Sequence, residues 1–160
     1  MRRLLLIRHA KSDWAKAGLA DHDRPLAPRG RRAALWIGDT LRAEGWLPDA
    51  ILCSTALRTR QTLELANIHA PVRFLREIYD AMSGDFVDII RRQGGSAPNV
   101  ALIGHNTGME TTAVMLAKGD ADFGGYPTGA ITVMDFAIDD WSLLAEGSGK
   151  VVAFRPPLKE

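Results

Sequence analysis

Three short runs without a polar residue, Leu4-Leu5-Leu6-Ile7, Ala50-Ile51-Leu52-Cys53 and Val100-Ala101-Leu102-Ile103, constrain this chain more than any other feature. A strand sends successive side chains to opposite faces, so a run that never alternates belongs to a strand covered on both sides. Each run is too short for a buried helix. Amphipathic stretches lie between them. Ala27 to Glu44 is expected to be helical, with Pro28 in the first turn, Ala33, Ile37 and Leu41 recurring at about four residues, and Gly45 closing it. A second helix is expected after Cys53 to about Ala66. A third spans about Gly84 to Gln93, with Phe86, Ile89 and Ile90 on one face, and a fourth Thr107 to Ala117. Val72–Leu75 reads as a weaker strand whose Arg73 suits a sheet edge. Ala130–Phe136 and Val151–Phe154 read as later strands suited to a hairpin pair. Such alternation implies an α/β fold: a three-layer α/β/α sandwich around a mostly parallel central sheet.

At 160 residues the chain is long enough for one core and short for two. Without a linker or repeat, residues 1–160 read as a single domain. Gly119–Gly129, with four glycines and a proline, reads as a mobile loop. Pro156-Pro157 is expected to end the last strand and leave a short tail.

Charge excludes several partners. Twenty Lys and Arg against nineteen Asp and Glu leave a formal +1, which no polyelectrolyte partner requires. Arg29, Arg31 and Arg32 read as the exposed start of a helix, and no aromatics are interleaved with them, so nucleic acid is not expected. No apolar stretch approaches the roughly 20 residues that span a bilayer, so no membrane partner is expected. The N-terminal apolar run is broken by Arg8, well short of a secretory core of about 7–15 residues. A cytoplasmic location is the expectation.

In open parallel sheets, ligands gather beyond the carboxyl ends of the strands. Arg8 and His9 follow the first run. Ser54 follows the second, with Arg58 about one helical turn on. Gly104, His105 and Asn106 follow the third. Each alone reads as a turn residue or a solvated charge; together they aim two imidazoles and two guanidiniums at one end of one sheet. Guanidinium forks match a tetrahedral oxyanion, and a neutral imidazole can attack phosphorus. Arg8 and Arg58 would repel a divalent ion from the same place, so neither a metal nor another cofactor is expected. The P-loop pattern is absent. Four residues separate Cys53 from Arg58, where the cysteine-phosphatase loop has five, so Cys53 reads as a small buried strand residue. His22 and His69 fall in loops and read as structural.

Leu6-Ile7-Arg8-His9-Ala10-Lys11-Ser12, Arg24-Pro25-Leu26 with Gly30, Ser54-Thr55-Ala56-Leu57-Arg58-Thr59-Arg60-Gln61-Thr62 and Gly104-His105-Asn106 follow one another at strand ends and helix starts. In that order they resemble the histidine phosphatase superfamily, which has the phosphoglycerate mutase-like fold, and more closely its small bacterial phosphohistidine phosphatase branch. Ala10 stands where the broad family commonly has glycine. The resemblance implies that His9 is the nucleophile and that Arg8, Arg58 and His105 hold the phosphoryl oxygens, with a further donor from the backbone N–H of Asn106. It implies a neutral His9, one ring nitrogen fixed by a backbone carbonyl, and a His105 able to work as a cation. It makes Glu77 the candidate general acid, a surface carboxylate being the other reading. The expected activity is metal-independent removal of phosphate from protein phosphohistidine. A small phosphomonoester substrate, or a non-catalytic module binding phosphate or a phosphoprotein, is the alternative.

Overall fold

The odd and even residues of the apolar runs sort into two separate cores. Leu4, Leu6, Leu52, Val100 and Leu102 face one layer; Leu5, Ile7, Ile51, Cys53, Ala101 and Ile103 face the other. Burying such side chains is worth roughly 1.5–3 kcal/mol each, so a one-residue slip in register would be prohibitive. The computed structural model describes residues 1–157, and the tail expected after Pro157 lies outside the described residues. Six strands, β1 (Arg2–Arg8), β2 (Ala50–Ser54), β3 (Val72–Leu75), β4 (Asn99–Gly104), β5 (Ile131–Phe136) and β6 (Lys150–Arg155), form one sheet in the order β3-β2-β4-β1-β5-β6. The first four strands of that order are mutually parallel, while β5 runs antiparallel to both β1 and β6. The sheet is therefore mostly parallel, with β3 at its edge.

α1 (Pro28–Glu44) and α2 (Leu57–Ala66) cover one face through Ile37, Leu41, Leu63 and Ala66. α3 (Arg76–Asp80), α4 (Val87–Gln93) and α5 (Gly108–Leu116) cover the other through Ile78, Ile90, Met109 and Ala113, joined by Phe86 just before α4. Gly45 closes α1 in the left-handed conformation, at φ +73°, which glycine adopts without steric cost. Gly30, early in α1, has a different reason. A Cβ there would collide with the backbone carbonyl of Lys11, so its absence lets the loop after β1 lie directly on the helix.

Two segments differ from the sequence reading. The helix expected from Gly84 starts only at Val87, because the Phe86 N–H is taken by Thr112 Oγ1 at 2.7 Å. The extra short helix α3 has only Ile78 buried, too little apolar pattern to show in the sequence. Gly119–Gly129 is irregular but tied down. Phe123 and Tyr126 are buried within it, and the Tyr126 hydroxyl donates to the Leu6 carbonyl at 2.7 Å.

Candidate active site

Register brings the site together. Ile7 lies beside Ile103 and Arg8 beside Gly104, while Cys53 is level with Ile103. The residues that follow therefore emerge at the same sheet end. The His9 N–H donates to the Gly104 carbonyl at 3.0 Å, and the His9 and His105 ring centroids are 5.2 Å apart.

His9 Nδ1 is 2.6 Å from the Ala10 carbonyl oxygen. A carbonyl only accepts, so Nδ1 carries the hydrogen and Nε2 keeps its lone pair. Burial pushes the His9 pKa well below its ordinary value, and the neighbouring Arg58 and Arg8 charges push the same way; the Ala10 hydrogen bond only partly opposes them. His9 is thus neutral, with a defined tautomer. Its own loop is fixed in turn, because the Ala10 N–H donates to Thr62 Oγ1 at 3.1 Å.

His105 Nε2 meets the Ser54 hydroxyl at 2.8 Å, and the Ala56 N–H donates to the same oxygen at 3.2 Å. Burial first, then the charge of Arg58, lowers the His105 pKa to about 3. In the free protein His105 is therefore neutral. When Ser54 donates to Nε2, the proton sits on Nδ1, which is buried and has no partner among the described residues. That N–H is then without a protein acceptor among the described residues. A phosphate dianion would offset the Arg58 charge and favour protonation.

The two arginines come from different elements. Arg8 ends β1; its Nη1 donates to the Tyr126 carbonyl at 2.8 Å, and its Nε is buried without a partner among the described residues. Burial, then the charge of Arg58, lowers the Arg8 pKa. Arg58, in the first turn of α2, is almost fully buried. Its Nη1 donates to the Asp21 carbonyl at 2.8 Å and its Nη2 to Asp21 Oδ2 at 3.1 Å. Asp21 also accepts from Arg24 at 2.9 Å and from the Tyr79 hydroxyl at 2.8 Å. Burial alone would raise the Asp21 carboxyl, but hydrogen bonds from Arg24, Tyr79 and Arg58 outweigh it and hold it well below the usual range. Two guanidiniums and two neutral imidazoles thus line one pocket of about 280 Å³, with Asp21 beside them. Like charges concentrated in a partly dry cleft make an anion site.

Of the remaining expectations, Asn106 lies on the pocket wall, two residues before α5 begins. Glu77 is not brought to the pocket. Its carboxylate is drawn outward by Arg92 of α4, at 2.8 Å, so the surface reading is the one the geometry matches. The His22 Nε2 meets Thr55 Oγ1 at 2.8 Å and its ring packs edge-on to Tyr79. A larger, more open cleft of about 590 Å³ beside Phe74 and Leu63 contains none of the four central residues. Sequence reasoning missed Asp21, Tyr79 and Trp14. The signal available for Asp21 was its place just before Arg24-Pro25-Leu26.

A family model described as the histidine phosphatase superfamily, branch 1, matches residues 4–89. The chain belongs to this superfamily. An uncharacterised protein of Mycobacterium tuberculosis is 39% identical over 159 residues, covering 94% of this chain and 99% of that one. Two solved structures, each described as a candidate phosphohistidine phosphatase SixA, align over nearly the whole chain. The one from Nakamurella multipartitia has a TM-score of 0.82 at 30% identity and covers 99% of this chain and 97% of that one. The one from Agrobacterium tumefaciens has a TM-score of 0.78 at 29% identity and covers 97% of each. Within the superfamily the chain falls in this small SixA-like branch, and it is a phosphatase with the phosphoglycerate mutase-like α/β fold.

Proposed function

We propose that this phosphatase removes the phosphoryl group from phosphohistidine on a protein, through a covalent intermediate on His9 and without a metal. The observation that carries the reading is the bond from His9 Nδ1–H to the Ala10 carbonyl, which leaves Nε2 as a free nucleophile in a pocket lined by Arg8, Arg58 and His105. Nε2 attacks phosphorus and forms a new P–N bond. The bond from phosphorus to the substrate's ring nitrogen breaks; that nitrogen keeps the electron pair, and the ring, already protonated on its other nitrogen, leaves as neutral imidazole. Water then attacks phosphorus, the P–Nε2 bond breaks, its proton passes to solvent, and inorganic phosphate leaves. Arg8 and Arg58 stabilise the equatorial oxygens as charge builds, with the His105 N–H and the backbone N–H of Asn106 as further donors. They supply the positive charge that a metal supplies elsewhere.

The choice of substrate follows from the missing acid. Asp21 is ionised through its bonds to Arg24, Tyr79 and Arg58, and Glu77 is held outside by Arg92. A leaving alkoxide needs a positioned acid, whereas an imidazole is a far weaker base and departs without one. The SixA-named relatives point the same way. The test compares a phosphohistidine peptide with an alkyl phosphate, both with a chelator present. A preference of about 10²-fold or more for the P–N bond, unaffected by chelation, is expected. Equal rates, or loss of activity on chelation, would overturn the proposal.

A further inference from the structure

Trp14 is the largest side chain on the rim of the anion pocket, and it is 66% exposed. Exposing an indole to this degree forgoes its apolar burial, so its placement calls for a reason beyond packing. The Arg24 guanidinium lies 3.4 Å from the ring centroid, which covers one face and leaves the other to solvent. Arg24 is largely buried and also donates to Asp21 at 2.9 Å. Asp21 in turn holds Arg58 at 3.1 Å. The indole is thus held in place by a guanidinium that is itself anchored on Asp21.

A phosphoryl group among Arg8, His9, Arg58 and His105 leaves its substituent nowhere to go but the pocket mouth. Apart from the two histidine rings, Trp14 is the one aromatic side chain among the described residues lining that mouth; Met82 is the other large apolar one, with Lys11, Ser12 and Thr128 nearby. We infer that Trp14 forms a leaving-group subsite, its open face stacking against a flat ring bonded directly to phosphorus. This deepens the phosphohistidine reading, because an imidazole carried on phosphorus presents such a ring and an alkyl ester or a bare phosphoramidate does not. Stacking of this kind is worth about a 2- to 10-fold change in affinity. Trp14 acts on the leaving group alone, so its loss leaves the grip on the phosphoryl oxygens intact.

The test needs no turnover. Phenylphosphonate and methylphosphonate carry the same anion, one with a ring and one without, and neither can be hydrolysed. Calorimetry on the full chain should show the ring-bearing ligand binding about 2- to 10-fold more tightly. Trp14→Ala should abolish that preference while leaving methylphosphonate affinity unchanged, and Trp14→Phe should restore most of it. Because Trp14 is exposed, both variants should keep the wild-type melting temperature. Absence of a ring preference in the wild type, or its survival in Trp14→Ala, would overturn the assignment. Failure of the phosphohistidine reading looks different: the ring preference persists while the P–N substrate is turned over no faster than an alkyl phosphate.

Discussion

Asp21 grips Arg58 twice, accepting from Nη1 through its backbone carbonyl at 2.8 Å and from Nη2 through its carboxylate at 3.1 Å. The carboxylate stands beside the place where the phosphoryl oxygens belong, so it does two opposed things. It fixes the guanidinium, and its charge repels the anion that the guanidinium attracts. Asp21→Asn keeps the backbone bond and removes the charge. Phosphate should then inhibit severalfold more strongly while kcat falls, by up to about 10²-fold if Arg58 drifts by an ångström. Phosphate inhibition and steady-state kinetics measured on the same preparation check this; parallel losses in both would show that Asp21 is only a structural support.

Burial of His9 and His105 as neutral rings ties stability to pH. Both folded-state pKa values lie below the ordinary 6.5, that of His105 at about 3. Between those limits the unfolded chain binds more protons than the folded one, so stability falls as pH drops below about 6.5. Each ring contributes a slope of at most about 1.4 kcal/mol per pH unit. Urea midpoints at pH 7 and pH 5 should show the decline, and it should be shallower in His105→Asn.

Cys53 takes no part in the chemistry. Burial pushes its thiol up to about 12, so it is neither ionised nor accessible. Iodoacetamide should leave activity untouched, and Cys53→Ala should keep kcat within about twofold at a cost near 1 kcal/mol of stability. Inactivation by the reagent at the rate of an exposed thiol would contradict this.

Glu77→Gln should leave turnover within about twofold on both P–N and alkyl substrates. Its pairing with Arg92 is a surface ion pair, a kind worth roughly 0–1 kcal/mol. A selective loss on the alkyl ester would return Glu77 to the role of acid.

Gly30→Ala should damage both stability and activity. The new methyl meets the Lys11 carbonyl, and overpacking of this kind costs about 1–3 kcal/mol. The displaced loop begins two residues after the nucleophile. Melting temperature and kcat should fall together.

The parts of the site visible in the sequence are those set by sheet topology. Arg8 ends β1, His9 and His105 directly follow β1 and β4, and Arg58 sits in the first turn of the helix after β2. Parallel register does the rest, which is why segments almost a hundred residues apart could be joined on paper. Trp14 and Asp21 belong to an irregular stretch without period, and Asp21 reaches its partners across 37 and 58 residues. Nothing local reports such contacts. Glu77 is the converse case: its place after β3 left a catalytic and a surface role both open, and Arg92, 15 residues later, pairs with its carboxylate. In Gly119–Gly129 the glycine count suggested looseness, while the buried Phe123 and Tyr126 outweigh it.

The neutral, lone-pair-bearing Nε2 of His9 is what the whole scheme rests on. Base-quench trapping with a labelled phosphoryl donor tests it most directly, since quenching in strong base preserves phosphohistidine and warming in acid releases it. We expect label on His9 of the wild type that survives base, is lost in acid and is absent from His9→Ala. Turnover without any such label, or label that resists acid, would contradict the scheme.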